Sequence, residues 1–313
     1  MTQITFITGY FELLNTGRNF DVYLERASKM TLKISNPLVI FCEPHTYPKI
    51  KAERDKYGYL THYIIKRFNE MEFYSYLPQI IENRKTHPRA DSRNIPEYQI
   101  ATCSKFTMIR DAINKNIFGS LYYAWIDFSL AESKFTNIDI LRTVSNNIIS
   151  NKLEKIKMCF INYTPKNETL DLQKYYNLHG RCGISGGFYS GSSDKLLKFA
   201  ELCITFFKNN VSRGYGHADE QIYLQVYFAN ESKDLFNFYF GDYQYVISNF
   251  IEVNTESKHI ILNVFLPNVI KDKHILESNI LAKNAVMFLI NGYKKGKVEL
   301  NKDEIVKLFS YIA

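Results

Sequence analysis

The chain has 313 residues, 46% of them apolar, enough for one large α/β domain or two small ones with a full core. Its 39 basic and 32 acidic residues leave a formal charge of +7 spread along the chain without a block of like charge, which speaks against a nucleic-acid arm and a nucleic-acid partner. The five cysteines are odd in number, far apart and never spaced as CxxC, which argues against a disulfide framework and points to a reducing, cytoplasmic setting.

The first apolar run, residues 3–8, ends at Thr8-Gly9-Tyr10 and lacks the basic region, long apolar stretch and cleavage site of a secretory leader. Residues 21–30 then carry Val22, Leu24 and Ala27 at helical spacing, so the chain opens as strand, loop, helix. Leu38 to Cys42 is a continuous apolar run of the kind buried on both faces of a parallel sheet, and it stops at Glu43-Pro44. Residues 60–65 read as a third strand and the polar, Arg-rich residues 83–94 as loop. From Pro96 to about Asn116, the spacing of Ile100, Cys103, Phe106, Ile109 and Ile113 predicts one amphipathic helix. The most strand-like run, residues 121–126, terminates in Asp127-Phe128-Ser129. Strands are expected again at 157–162, around 187–189 and at 235–240, with helices at 194–208 and 218–228 and helical patterns from about 258 to the end. No apolar run reaches the roughly 18 residues of a membrane-spanning helix, so any membrane contact is expected to be peripheral, at the inner face.

This alternation predicts an α/β domain with a mostly parallel central sheet flanked by helices over residues 1–250, and a helical C-terminal extension, 251–313, packed on it. In such sheets ligands bind outside the carboxyl ends of the strands, which marks Thr8-Gly9-Tyr10, Glu43 and residues 127–129. Asp127, closing a buried strand, suits a divalent cation on a diphosphate; its plainer role is to cap the next turn. Three glycines among residues 186–191 let a backbone approach a sugar or phosphate, although a simple turn uses the same composition. Asp219, Glu220 and Gln221 open a helix, where acids either bind ligand or merely complement the helix dipole. P-loop and HExxH motifs are absent, and of the scattered histidines His217 and His274 are the two placed to complete a metal site.

Over residues 4–249 the chain resembles the WlaTC/HtrL (YibB-like) family of bacterial glycosyltransferases. The matching pieces, in order, are Thr5 to Phe11, Gly17-Arg18, Tyr23-Leu24, Pro37 to Phe41, Trp125-Ile126-Asp127, Gly186-Gly187-Phe188, Asp219-Glu220-Gln221 and Gly241-Asp242-Tyr243. The resemblance implies a GT-A-like fold, a nucleotide-diphosphate sugar donor, UDP-linked in the first instance, and a cell-surface glycan acceptor such as lipooligosaccharide or capsule. A fainter similarity to retaining blood-group-type transferases, through Gly186-Gly187 and His217 to Glu220, casts Glu220 as nucleophile or stabiliser and Asp219 as a donor-sugar contact.

Expected roles follow from these two readings together. Thr8, Gly9 and Tyr10 hold base and ribose, with the Tyr10 ring available for stacking; Arg18 and Lys105 contact phosphate. Asp127, with Mn2+ or Mg2+ and His274, holds the diphosphate, while Trp125, Ser129, Gly186, Gly187 and Gln221 complete the donor site. GT-A enzymes usually carry Asp-x-Asp, whereas Ser129 stands here in place of a second carboxylate. The rival reading is therefore a non-catalytic nucleotide-sugar or carbohydrate-binding protein of the same fold.

Overall fold

Seven strands form one sheet in a computed structural model that describes residues 3–13, 19–88, 95–177, 183–232, 234–271 and 276–311. They are β1 (Ile4–Tyr10), β2 (Leu38–Cys42), β3 (Thr61–Ile65), β4 (Tyr122–Ile126), β5 (Ile156–Phe160), β6 (Phe188–Ser192) and β7 (Phe236–Phe240), in the order β3-β2-β1-β4-β6-β5-β7. β2 and β4 are buried at every residue, as strands covered on both faces must be. β3, β2, β1 and β4 run parallel, as do β5 and β7, while β6 is antiparallel to both of its neighbours.

Side chains alternate across the sheet and build two cores. Ile4, Phe6, Leu38, Ile40, Ala124 and Ile126 meet helices Phe20–Lys29 and Ile138–Ser150 on one face. Ile7, Val39, Phe41, Tyr123 and Trp125 meet helices Pro96–Cys103, Lys105–Lys115, Ser193–Ser212 and Asp219–Phe228 on the other. From β1 the chain places β2 and β3 on one side and β4 on the other, so strand order reverses at β1 and opens a crevice between the carboxyl ends of β1 and β4. Because β6 runs backwards, its entry at Gly186-Gly187 lies beside the end of β4: Ile126 pairs with Phe188, and Asp127 N–H donates to the Gly187 carbonyl at 2.9 Å.

The expected elements are present, with three differences. The single helix expected over 96–116 is two, Pro96–Cys103 and Lys105–Lys115, joined at Ser104, whose hydroxyl donates to the Ile100 carbonyl at 2.7 Å. Residues 83–86, expected as loop, finish helix Leu77–Thr86, because the Asn83 amide donates to the Val211 carbonyl and ties that turn to a neighbouring helix. The sheet is mixed where β6 enters it. The C-terminal helices pack on β7, where Phe240 meets Phe265 and Phe288 with ring centroids 4.9 and 6.0 Å apart. Cys42, Cys103, Cys159 and Cys203 are buried, in the role of small apolar residues. No helix among the described residues is long and apolar enough to cross a membrane.

Candidate functional site

Asp127 follows Trp125 by two residues and leaves the sheet on the same face, toward the helix that begins at Lys105. Trp125 Nε1 donates to Asp127 Oδ1 at 2.9 Å, which fixes the carboxylate at the mouth of the crevice. Lys105 Nζ lies 2.9 Å from the same oxygen, 2.9 Å from Asp219 Oδ2 and 3.2 Å from the Gly186 carbonyl. An ammonium has three donors, and three acceptors surround this one. The group is nearly buried, and burial works against its charge; Asp127 and Asp219 outweigh that penalty and hold its pKa well above the ordinary lysine value. Burial pushes the Asp219 carboxyl above the usual carboxylate range, with the Lys105 charge opposing it.

Asp219 and Glu220 occupy the first turn of helix Asp219–Phe228, where the dipole stabilises negative charge. The rest of this helix is almost wholly buried, so its start is held rigidly. Glu220 Oε1 accepts from Gly186 N–H at 2.9 Å, and Oε2 accepts from the Tyr243 hydroxyl at 2.5 Å. Gly186 is the hub. A Cβ there would sit 2.7 Å from Asp219 Oδ2, 3.2 Å from Lys105 Nζ and 3.3 Å from Glu220 Cγ, so this glycine makes room for the ion cluster and not for an approaching ligand. Gly187 is less constrained: a Cβ would have Asp127 Oδ2 at 3.9 Å and ordinary contacts otherwise.

The structure therefore brings Lys105, Trp125, Asp127, Gly186, Gly187, Asp219 and Glu220 together and corrects several other expectations. Lys105 is engaged on all three donors, so it meets a phosphate only by releasing a carboxylate. The Tyr10 ring is no stacking platform: it is 6% exposed and packs against Phe20, Tyr23 and Phe128 with centroids 5.1 to 5.6 Å away. Thr8 is fully buried, and a Cβ on Gly9 would lie 2.6 Å from Met108 Sδ, so both are packing positions rather than a cradle for base and ribose. Gln221 is a capping residue; its Oε1 accepts from Ala218 N–H and its amide donates to the Tyr175 carbonyl. His217, fully buried among Tyr175, Tyr176 and Tyr215 and bonded to the Leu172 carbonyl, belongs to the core. Ser129 is half-buried in the turn after Asp127. Arg18 and His274 lie outside the described residues. Tyr243 joins the site unforeseen; its one sequence signal was the Gly241-Asp242-Tyr243 piece.

Three carboxylates, Asp127, Asp219 and Glu220, stand against one ammonium, a formal excess of two negative charges that repels a bare diphosphate. Among the described residues no three His, Cys, Asp or Glu side chains converge as a metal cage. The fit to Mn2+ or Mg2+ is of another kind. The Asp127 side chain is 39% exposed, and with Oδ1 committed to Lys105 and Trp125 its Oδ2 is the hard oxygen available to an ion that arrives with phosphate. Mg2+ commonly binds that way, through one or two carboxylates, waters and substrate oxygens.

No curated protein matches the chain. A family model described as "Bacterial protein of unknown function (HtrL_YibB)" matches residues 2–252, from β1 through the glycine turn and the Asp219-Glu220 helix to the start of the C-terminal helices. The chain is a member of the HtrL_YibB family.

Proposed function

We propose that this protein is a glycosyltransferase of GT-A type that moves a sugar from a nucleotide-diphosphate donor to a cell-surface glycan acceptor. One observation carries the reading: a buried ammonium fixes two carboxylates, and a third is bonded to the same glycine, all at the crevice where strand order reverses. Perturbed titratable groups clustered at such a place are what group transfer requires.

In this reading Asp127 receives the donor's diphosphate end, and Trp125 and Lys105 keep its carboxylate from rotating. A divalent cation, when bound there, supplies positive charge to the leaving phosphate. Glu220 is the group that faces the sugar. Gly186 N–H and the Tyr243 hydroxyl orient its carboxylate, as attack on the anomeric carbon or proton removal from the acceptor hydroxyl demands. Asp219 lies beneath, holding Lys105 and, through it, the glycine turn.

Release of free nucleotide from a panel of UDP, GDP, CMP and dTDP sugars, with and without Mn2+, tests the proposal. Turnover is expected with at least one donor, and loss of about 100-fold or more is expected for Asp127→Ala and Glu220→Gln, the size typical of removing a group that stabilises or transfers charge at the reaction centre. Ser129, in place of a second carboxylate, favours the rival reading of a binding protein without catalysis. Donor binding with no turnover across the panel decides for that alternative.

A further inference from the structure

The corrected roles of Thr8, Gly9 and Tyr10 leave base and ribose without a seat, and a cavity elsewhere on the same edge of the sheet supplies one. It has a volume of about 430 Å³ and is lined by Glu43, Pro44, His45, Arg67, Phe68 and Tyr74. Glu43 follows β2 directly, and Arg67 and Phe68 follow β3. The register Tyr10 to Cys42 to Ile65 puts these ends level with the end of β1. With neighbouring strands about 4.8 Å apart, the β2 and β3 ends stand about 10 and about 14 Å from the β4 end that carries Asp127. A nucleoside diphosphate spans such a gap; a sugar phosphate does not.

The cavity is built, not incidental. The Glu43 side chain clasps two other crossover loops: Oε2 accepts from Glu12 N–H at 2.8 Å, after β1, and Oε1 accepts from Phe68 N–H at 3.2 Å, after β3. Phe68 is wedged between Phe11 and Tyr74, with centroids 6.3 and 5.6 Å away, so an aromatic wall stands ready for a flat ring. The charges also sort. Glu43 is met by those two N–H donors and Glu12 by His45 at 2.9 Å, whereas Arg67, exposed at the mouth, has no ion pair among the described residues. An aromatic wall under an uncommitted guanidinium fits a base followed by an anion.

We infer that this cavity is the nucleoside pocket of the donor site: Phe68 and Tyr74 take the base, and Arg67 takes the first phosphate of a nucleoside 5′-diphosphate whose far end passes across the end of β1 to Asp127. The inference rests on the transferase reading for its ligand, but its test does not depend on turnover. Titration calorimetry of the full chain with UDP, GDP and dTDP, with uridine, and with inorganic pyrophosphate gives affinities for the wild type, Phe68→Ala and Arg67→Ala, each variant checked for an unchanged melting temperature. At least one diphosphate is expected to bind. Phe68→Ala should weaken it tenfold or more and weaken the matching nucleoside equally, while Arg67→Ala should weaken the diphosphate tenfold and leave the nucleoside nearly unchanged.

A diphosphate that binds with the same affinity to wild type and to both variants overturns the pocket and leaves the transferase reading standing. So does pyrophosphate binding as tightly as the nucleotide. Absence of binding by every nucleotide up to about 1 mM, the upper end of ordinary substrate affinities, also overturns it. Sensitivity of binding to both variants without sugar release upholds the pocket and sinks the transferase.

Discussion

Lys105→Met is the perturbation that best probes the ion cluster, because the ammonium is shared by two carboxylates of very different exposure. The Asp219 side chain is 7% exposed and the Asp127 side chain 39%. Once the ammonium is gone, Asp127 turns to water at little cost, whereas Asp219 remains a buried, uncompensated charge. Removing one partner of a buried pair typically costs 3–5 kcal/mol; with a single buried carboxylate to strand, a loss of about 3 kcal/mol at pH 7.5 is expected, a large share of the 5–15 kcal/mol of an ordinary domain. The pH dependence has a definite sign. Asp219 already sits above the unfolded value of 3.8 through burial, and losing the opposing lysine raises it further. In that window the folded variant holds a proton that the unfolded chain has lost, so its stability falls as pH rises and recovers as pH is lowered toward 5. Adding Asp219→Asn removes the stranded charge and should restore most of the loss at pH 7.5. Urea unfolding of the wild type, the single variant and the double variant at pH 7.5 and 5 measures all of this. A single variant within 1 kcal/mol of the wild type, or a deficit unchanged by acid and by the second substitution, refutes the reasoning.

Gly186→Ala should cost about 1–3 kcal/mol and abolish donor turnover, because a Cβ 2.7 Å from Asp219 Oδ2 must displace the cluster, while Gly187→Ala is tolerated in folding; thermal melts of both decide it. Tyr243→Phe leaves Glu220 short of one donor and should lower kcat with KM little changed and shift the pH profile, which steady-state kinetics with the responsive donor will show. Away from the site, Lys157 bonds to the Phe250 carbonyl over the Phe250 ring, and burial, then Lys295, lowers its pKa to about 8. The unfolded chain then holds more protons between pH 8 and 10.5, so wild-type stability rises with pH across that window. Lys157→Met should stabilise the fold by up to ~3 kcal/mol at pH 7 and by less at pH 10, read by urea unfolding at both values.

The sheet was legible because its strands advertise themselves: Leu38 to Cys42 and residues 121–126 are unbroken apolar runs, and parallel strands buried on both faces allow little else. Asp127 and the Asp219-Glu220 pair were legible for the same reason, since each closes or opens an element whose type the pattern fixes. Their meeting was not. It depends on β6 running backwards, a choice written in long-range pairing and not in the five residues of the strand, and without it Gly186 would stand at the opposite edge from Asp127. The glycines were read as a close approach of sugar or phosphate, but at Gly186 the approaching group is the protein's own carboxylate and ammonium, and at Gly187 nothing comes close. Tyr10 misled because an aromatic ring at a strand end looks the same in sequence whether it faces a ligand or, as here, three other rings.

The cluster itself runs against stability, and that bears on its purpose. A lysine at the start of a helix opposes the dipole, and a buried ion pair is commonly less stabilising than apolar residues of the same volume. Lys105 does both, beneath Gly186, where a side chain would collide with the cluster. Local choices that conflict with the fold collect where something other than folding constrains them. Lys105→Met combined with Asp219→Leu separates the two demands: the pair should be at least as stable as the wild type in urea, yet lose donor turnover because the ammonium that ties the Asp127 carboxylate to the Gly186 carbonyl is gone. A stable double variant that keeps full turnover would show the cluster to be packing alone, and the assignment of chemistry to this corner of the sheet would have to be abandoned.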